Sequence, residues 1–366
     1  MHKVVVLGAG RIGASIASLL HSVGRYQVTV VDKSSAMLPT LAPTLQGTFQ
    51  SLDVADAAKL LPLLQAHDAV LSACSFPLNR TIAEVALCAG CSYFDLTEDV
   101  QCTRTIRGLA GNAKQGQIFM PQCGLAPGFI GILGYDLVRR FERLFTLKMR
   151  VGALPEFPTN QMMYNLTWST DGLINEYCNP CEAIKNGRYT EVLPLEGLEN
   201  FSLDGVEYEA FNTSGGLGTL CETLQDQVED LTYKTIRYPG HRYLMDFLVN
   251  GLRLGKAKKR REMLKDIFES AIAVTNQDLV LIMANATGLM DGRLTEVTEV
   301  RKIYHSELVG QVASAIQIST ASAACVVMDL FFERELPQQG FVKQEDVALD
   351  VFMRNPFATP FQAGSR

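Results

Sequence analysis

Tryptophan occurs once in the 366 residues and histidine five times, and there is no surplus of positive charge: 33 Lys and Arg face 39 Asp and Glu, a formal net charge of −6. Without a basic excess the chain has no electrostatic reason to bind nucleic acid or an anionic membrane, and neither is expected as a partner. Internal repeats and low-complexity linkers are missing. With 47% hydrophobic and 20% charged residues, a disordered or collagen-like chain is excluded. The nine cysteines are an odd number spread over a long chain, which is no disulfide framework; reduced thiols are expected. No apolar leader opens the sequence. Met1-His2-Lys3 runs directly into Val4-Val5-Val6-Leu7, which reads as a strand, so a cytoplasmic location is the expectation.

One stretch, Leu308 to Met328, has no charge and is about as long as a membrane span. It carries Gln311, Ser314, Gln317, Ser319, Thr320 and Ser322 among many alanines, which suits a buried helix packed closely on a neighbour. The only dense charge cluster, Lys256 to Arg261, is followed by Glu262, Lys265, Asp266 and Glu269 and reads as a solvated helix face. Cys88–Cys91 and Cys178–Cys181 have Cys-x-x-Cys spacing, but they fall in different predicted domains with no histidine near either. No metal site is expected there, and the cysteines read as small buried residues.

The first 123 residues alternate strand and helix patterns. Strand-like runs at 3–7, 27–31, 48–50, 69–73, 92–96 and 117–120 are interleaved with helical patterns at 11–23, 55–65, 81–89 and 100–114. Alternating βα units require a parallel sheet with helices on both faces, because parallel strands need crossovers. After Gly124 the rhythm changes to longer strands at 146–151, 206–212, 230–238, 278–287 and 293–304. Helices are predicted at 130–141, 166–177, 219–224, 242–252 and 258–268. The predicted fold class is therefore α/β: a doubly wound Rossmann domain over 1–128, plus an α+β domain with a mixed or antiparallel sheet over 129–311. Residues 312–366 are expected to return to the first domain.

The strongest chemical signal is Gly8-Ala9-Gly10-Arg11-Ile12-Gly13, directly after the first strand and opening a helix. The first glycine makes a tight turn, the second lets backbone approach a pyrophosphate, and the third lets helix and strand pack closely. The second strand ends at Asp32, nineteen residues after Gly13, where a carboxylate binds a ribose 2′-OH. That favours NAD, while Lys33, Ser34 and Ser35 leave NADP open. Asp53-Val54 is placed to reach the adenine and Ala73-Cys74-Ser75 to border the nicotinamide ribose, with Leu96 as a further cofactor-binding residue. Ligands of open α/β sheets bind beyond the carboxyl ends of the strands. There Glu98 and Asp99 are either a base or the acidic start of a helix. In the second domain the Ser214–Thr219 loop leads into a capping-box pattern, Thr219 with Glu222. Its bare N–H groups, Gly216 among them, are either a carboxylate cradle or a simple turn. Arg237 offers a bidentate carboxylate clamp, and His241 is a titratable group near neutral pH.

The Gly8 fingerprint, Cys123-Gly124-Leu125-Ala126-Pro127-Gly128, Glu176-Tyr177-Cys178-Asn179-Pro180, the Lys234–His241 stretch, and Gly340-Phe341-Val342 before Glu345-Asp346 together resemble the saccharopine dehydrogenase superfamily. They are most similar to its L-lysine 6-dehydrogenase branch. Saccharopine reductases carry an acid where this chain has Ala126, which turns the resemblance towards the lysine enzymes. The resemblance implies a homodimer and an amino-acid substrate. It also implies hydride transfer from the carbon bearing a terminal amine to a nicotinamide, with release of ammonia and a semialdehyde. The amine must be neutral first, so a base is needed; Glu98, Asp99 and His241 are the candidates. Arg237 or the Gly215–Gly218 loop would hold the α-carboxylate, with Tyr238, Gly216 and Pro127 as further substrate contacts. Two alternatives stay open. A saccharopine-type enzyme would join or cleave a semialdehyde and an amino acid and would need more converging arginines, for which Arg150, Arg188 and Arg242 are present. A regulator would bind NAD without turnover.

Overall fold

The computed structural model describes residues 1–35 and 47–362. The chain forms two compact units. The first comprises Met1–Phe129 with 307–313 and Gln317–Pro360, and the second comprises Ile130–Ser306 with 314–316 and the residues from Phe361 onward. The last four residues of the expected 312–366 segment lie outside the described residues.

In the first unit, β1 (His2–Leu7), β2 (Tyr26–Asp32), β3 (Thr48–Ser51), β4 (Ala69–Ser72), β5 (Ser92–Asp95) and β6 (Ile118–Met120) form a parallel sheet in the order β6-β5-β4-β1-β2-β3. A two-residue strand, Gly340–Phe341, extends it beyond β6. The order reverses between β1 and β4, the switch point beside which open α/β sheets bind ligands. Val4 to Leu7 are each fully buried, as befits a strand covered by helices on both faces. The crossover helices are α1 (Arg11–Ser22), α2 (Ala57–Gln65), α3 (Asn79–Ala89) and α4 (Val100–Ala110). Asp56 and Asp99 cap α2 and α4 by accepting the N–H groups of Lys59 and Cys102.

The second unit holds a mixed sheet. Its main path is β10-β11-β12-β7-β13-β14: β7 (Arg143–Pro155), β10 (Glu199–Leu203), β11 (Val206–Asn212), β12 (Asp230–Arg237), β13 (Asp278–Met290) and β14 (Arg293–Tyr304). The short hairpin of β8 (Cys181–Lys185) and β9 (Arg188–Val192) joins at β12. Among the described residues, β7 and β12 are the one pair of these strands that runs parallel. Helices α5 (Phe129–Val138), α6 (Thr170–Cys178), α7 (Leu220–Leu224), α8 (His241–Asp246) and α9 (Lys258–Ala271) complete its chain.

Several expectations are corrected here. The single helix expected over 242–252 is α8 followed by a π-turn at Phe247–Gly251. β8 to β10 fall where no strand was expected. The thiol of Cys88 is exposed and that of Cys178 half-exposed, not buried. From Ala315 the uncharged stretch is helical, and with Asp329 it forms α10 (Ala315–Phe332), long and apolar enough to cross a membrane by composition alone, yet 78% buried within the structure. Near its end the buried carboxylate of Asp329 receives bonds from Arg25, Tyr26 and Asn355, a core anchor that a lipid-facing helix would lack.

Candidate functional site

The turn after β1 is built by contacts that tolerate no side chain. Gly8 has φ +97°, and a Cβ there would sit 2.9 Å from the Ala73 carbonyl oxygen. A Cβ on Gly13 would lie 1.9 Å from the Gly8 oxygen and 3.3 Å from Ala73 Cβ, so helix and strands meet at van der Waals contact. At Gly10 a Cβ would meet no protein atom within 4 Å. That open position lies at the N-terminus of α1, which has no side-chain cap and no acidic residue in its first turn. The positive end of the helix dipole therefore meets an open position, as a pyrophosphate requires. Arg11 is exposed and Ile12 half-buried beside them.

Asp32 is held at the end of β2. Its Oδ2 accepts the Ala9 N–H and its Oδ1 the Ser34 N–H, both at 2.8 Å, so the carboxylate is aimed and partly exposed. Each oxygen retains a lone pair for a ribose hydroxyl. Lys33 is exposed next to it. These residues fit a nicotinamide dinucleotide. Asp53 is exposed, but Val54 is not available to an adenine: its side chain is buried in the core with Leu52 and Leu60. Ala73 is the surface on which the glycines pack. Cys74 is half-buried, with burial pushing its thiol up to about 11, so it stays neutral, and Ser75 is exposed.

Beyond β5 the carboxylates divide their roles. Asp99 caps α4 through the Cys102 N–H at 2.7 Å, which is the helix-start reading of this residue rather than the base. Glu98 and Leu96 are half-buried on the same loop. Asp95, a residue passed over in the sequence, is completely buried. It accepts N–H bonds from Thr97 and Gln122 at 2.9 Å and the Tyr93 hydroxyl at 2.7 Å, while its carbonyl accepts the Cys123 N–H. One side chain thus ties the loop carrying Glu98 to the segment carrying Pro127, which is itself buried in a turn closed by Gly124 and Gly128. Nothing local announces Asp95: an acid at a strand end is usually solvated.

Burial pushes the Asp95 carboxyl up to about 6, against an ordinary 3.8. The native chain then holds this proton more tightly than the unfolded one between pH 4 and 6, so its contribution to stability falls as pH rises through that window and is flat above it. Asp278, whose carboxylate accepts the Ala315 and Ile316 N–H groups, is pushed up to about the same value. Asp95→Asn keeps an acceptor for Thr97 and Gln122. It is expected to remove its share of the slope, about 3 kcal/mol across the window, in urea unfolding followed from pH 4 to 8; an unchanged slope would refute the assignment.

In the second unit Arg237 ends β12 fully buried. Its Nε donates to the Tyr177 hydroxyl at 2.9 Å and its Nη1 to the Ile236 carbonyl at 2.9 Å. The guanidinium lies 5.1 Å from the Tyr164 ring centroid, and among the described residues the buried Tyr164 hydroxyl has no hydrogen-bond partner. Among the described residues Arg237 forms no ion pair; Glu176, also buried, acts on it through space. Glu176 is thus a buried carboxylate acting on the guanidinium, whose N–H groups beyond those bonded to Tyr177 and Ile236 have the chemistry to hold an anionic ligand.

His241 is not set up as the base. It is wholly inaccessible, both ring nitrogens are engaged, and burial with the Arg237 charge pushes its pKa down to about 3, far from the value a base near neutral pH needs. Tyr238 donates to the Pro155 carbonyl and stacks on Tyr208. The glycine at 216 is explained by packing, since a Cβ there would strike the Tyr233 ring at 2.2 Å. Thr219 makes no capping bond to the five-residue α7: its φ of −95° and ψ of 0° leave the extended geometry that a capping side chain needs. Tyr164 and Tyr177 were missed, because a tyrosine in an apolar pattern reads as core; only the resemblance at 176–180 pointed to the second.

The family model "Saccharopine dehydrogenase NADP binding domain" matches residues 4–120, and "Saccharopine dehydrogenase C-terminal domain" matches 124–362. The mitochondrial alpha-aminoadipic semialdehyde synthase of Mus musculus is 22% identical over 197 residues, 52% of this chain and 21% of that protein. The match thus spans about a fifth of that relative's length. Among solved structures, an apo histidine-tagged saccharopine dehydrogenase (L-Glu forming) from Saccharomyces cerevisiae superposes with a TM-score of 0.78 at 17% identity, covering 97% of this chain and 96% of that one. The C. glutamicum DAP dehydrogenase in complex with DAP gives 0.50 at 11% identity, covering 98% and 97%. At these identities the structural likenesses show a shared fold.

Proposed function

The chain belongs to the saccharopine dehydrogenase family, and from that premise we propose that it is a nicotinamide-dependent oxidoreductase that breaks a C–N bond in an amino acid. The preferred substrate is a basic amino acid such as L-lysine, oxidatively deaminated at its terminal amine. When bound, the cofactor supplies the hydride acceptor. Asp32 favours NAD, because its carboxylate repels a 2′-phosphate. Arg237 holds the substrate α-carboxylate; of the candidate bases for the substrate ammonium, Asp99 is engaged as a helix cap and His241 is buried and weakly basic, so Glu98 is the one proposed.

The observation that carries the lysine reading is how the arginines are engaged. A saccharopine-type substrate brings several carboxylates and needs several cations. Arg150 is bound to Glu199 at 2.8 Å and to Asn285, Arg242 donates to the Leu195 carbonyl, and Arg188 is exposed on β9. Of the arginines singled out in this unit, only Arg237 is both buried and without a committed anion, which suits a substrate with one carboxylate. Ala126, half-buried and uncharged, agrees with it. The test is reduced-nicotinamide absorbance with NAD or NADP and L-lysine, L-ornithine or saccharopine. Faster reduction of NAD with lysine supports the proposal. Turnover of saccharopine alone would install the saccharopine-type reading, and tight NAD binding without turnover the regulatory one.

A further inference from the structure

Met162, His241, Tyr177 and Arg237 form a hydrogen-bonded chain in the second unit whose proton positions chemistry fixes one by one. His241 Nδ1 lies 2.8 Å from the Met162 carbonyl oxygen. A carbonyl can only accept, so Nδ1 carries a proton. The ring is neutral, since burial and the Arg237 charge push its pKa down to about 3, and Nε2 is therefore a bare acceptor. The Tyr177 hydroxyl, 3.0 Å from Nε2, donates to it. With that proton committed, the Tyr177 oxygen accepts the Arg237 Nε–H at 2.9 Å. Burial pushes the phenol pKa up, which keeps its proton in place. Tyr164, Tyr177 and Phe211 wall the imidazole, with ring centroids 5.3, 5.8 and 6.3 Å away. An imidazolium would instead put a donor on Nε2, so that the Tyr177 oxygen would accept from both His241 and Arg237 and its own proton would lose the His241 acceptor.

We propose that His241 and Tyr177 are positioning residues that hold the Arg237 guanidinium by its Nε edge, so that its uncommitted Nη N–H groups stay presented to the substrate carboxylate. The proposal rests on the reading of Arg237 given above and deepens it. Two of the five guanidinium N–H bonds are spent on Tyr177 and Ile236. An arginine fixed in this way loses less side-chain freedom on binding a carboxylate than one left to rotate. The chain also accounts for a histidine in the Arg237–His241 segment that is too buried and too weakly basic to exchange protons with substrate.

Four variants test it: Tyr177→Phe, His241→Leu, the double variant, and His241→Gln, which restores one donor and one acceptor without charge. The assay uses L-lysine, or saccharopine if that is what turns over. Arg237→Met serves as the reference. Expected are a rise in KM of ten- to a hundredfold in Tyr177→Phe and His241→Leu, with kcat changed less than threefold. The double variant should be no worse than Tyr177→Phe alone, because both lesions lie on one chain, and His241→Gln should recover most of the loss. In ¹⁵N-histidine spectra of the whole protein, His241 should show the neutral Nδ1–H tautomer from pH 5 to 8. If Arg237→Met leaves KM unchanged, the carboxylate reading of Arg237 fails and takes the proposal with it. If Arg237→Met is impaired but the His241 and Tyr177 variants bind substrate normally, or if His241 titrates near pH 6 or 7, the positioning role alone is refuted. A His241→Leu chain that does not fold leaves Tyr177→Phe and His241→Gln to decide.

Discussion

Arg237→Met is expected to raise the KM for L-lysine at least a hundredfold and to erase discrimination between lysine and 1,5-diaminopentane, which lacks the carboxylate. The wild-type guanidinium is buried, bonded to Tyr177 and Ile236, and without an ion pair among the described residues. Losing a charge-assisted contact to a carboxylate in such a place costs about 2–5 kcal/mol, and a hundredfold is about 2.7 kcal/mol. Stability should move the other way or not at all, since exchanging a buried charge for an apolar side chain of similar volume is often neutral or stabilising. Steady-state kinetics on both amines, with thermal melting beside them, separate the two effects. Unchanged discrimination would remove Arg237 from substrate recognition.

The second large effect lies in the fingerprint turn, where two alanine substitutions should behave oppositely. At Gly13 the new methyl would sit 1.9 Å from the Gly8 oxygen. Both partners are backbone, so α1 must shift away from β1. NAD binding should fall more than a hundredfold, with about 1–3 kcal/mol of stability lost to overpacking. At Gly10 the methyl meets nothing within 4 Å. The fold should be intact, yet the methyl takes the space a pyrophosphate needs, and affinity should fall about tenfold or more for the loss of close backbone approach. Calorimetric titration with NAD and urea unfolding of both variants check this. Equal destabilisation by the two alanines would contradict the assignment of the open space at Gly10.

Much of this was legible in the sequence, and unevenly so. In the first unit, βα alternation fixes both the elements and the parallel sheet, and β1 to β6 begin and end within a residue or two of expectation. In the second, the long strands β11 and β14 were found at their observed limits, while β8, β9 and β10 were missed. All three are only five residues long, and β9, with Arg188-Tyr189-Thr190-Glu191, is largely exposed and lacks the apolar alternation of a half-buried strand; β8 buries Cys181, Ala183 and Ile184 but is too short to stand out. The turn chemistry was there to be used. Asn186-Gly187, Asp204-Gly205 and Asp291-Gly292 each adopt positive φ at both positions, the signature of tight hairpin turns, and they close β8–β9, β10–β11 and β13–β14.

The site was less legible than the fold. Asp32 and the glycines stand where the local pattern puts them, at the end of β2 and in the turn after β1, because local backbone geometry sets their positions. Val54, Asp99, Thr219 and His241 could not be told from binding or catalytic residues until their surroundings were known. A core contact, a helix cap, an unused cap and a buried hydrogen-bond link are all tertiary properties. Tyr177, sixty residues from its partner Arg237, was out of reach for the same reason.

The central claim is that hydride leaves the carbon bearing the terminal amine of an amino acid for a nicotinamide. It is tested most directly by incubating the protein with NAD and L-lysine deuterated at the carbon bearing its side-chain amine, and measuring the mass of the reduced cofactor. The account predicts one deuterium on the nicotinamide ring and stoichiometric release of ammonia. Reduced cofactor without deuterium would place the oxidation at another carbon, and NAD held tightly but never reduced would contradict the catalytic reading altogether.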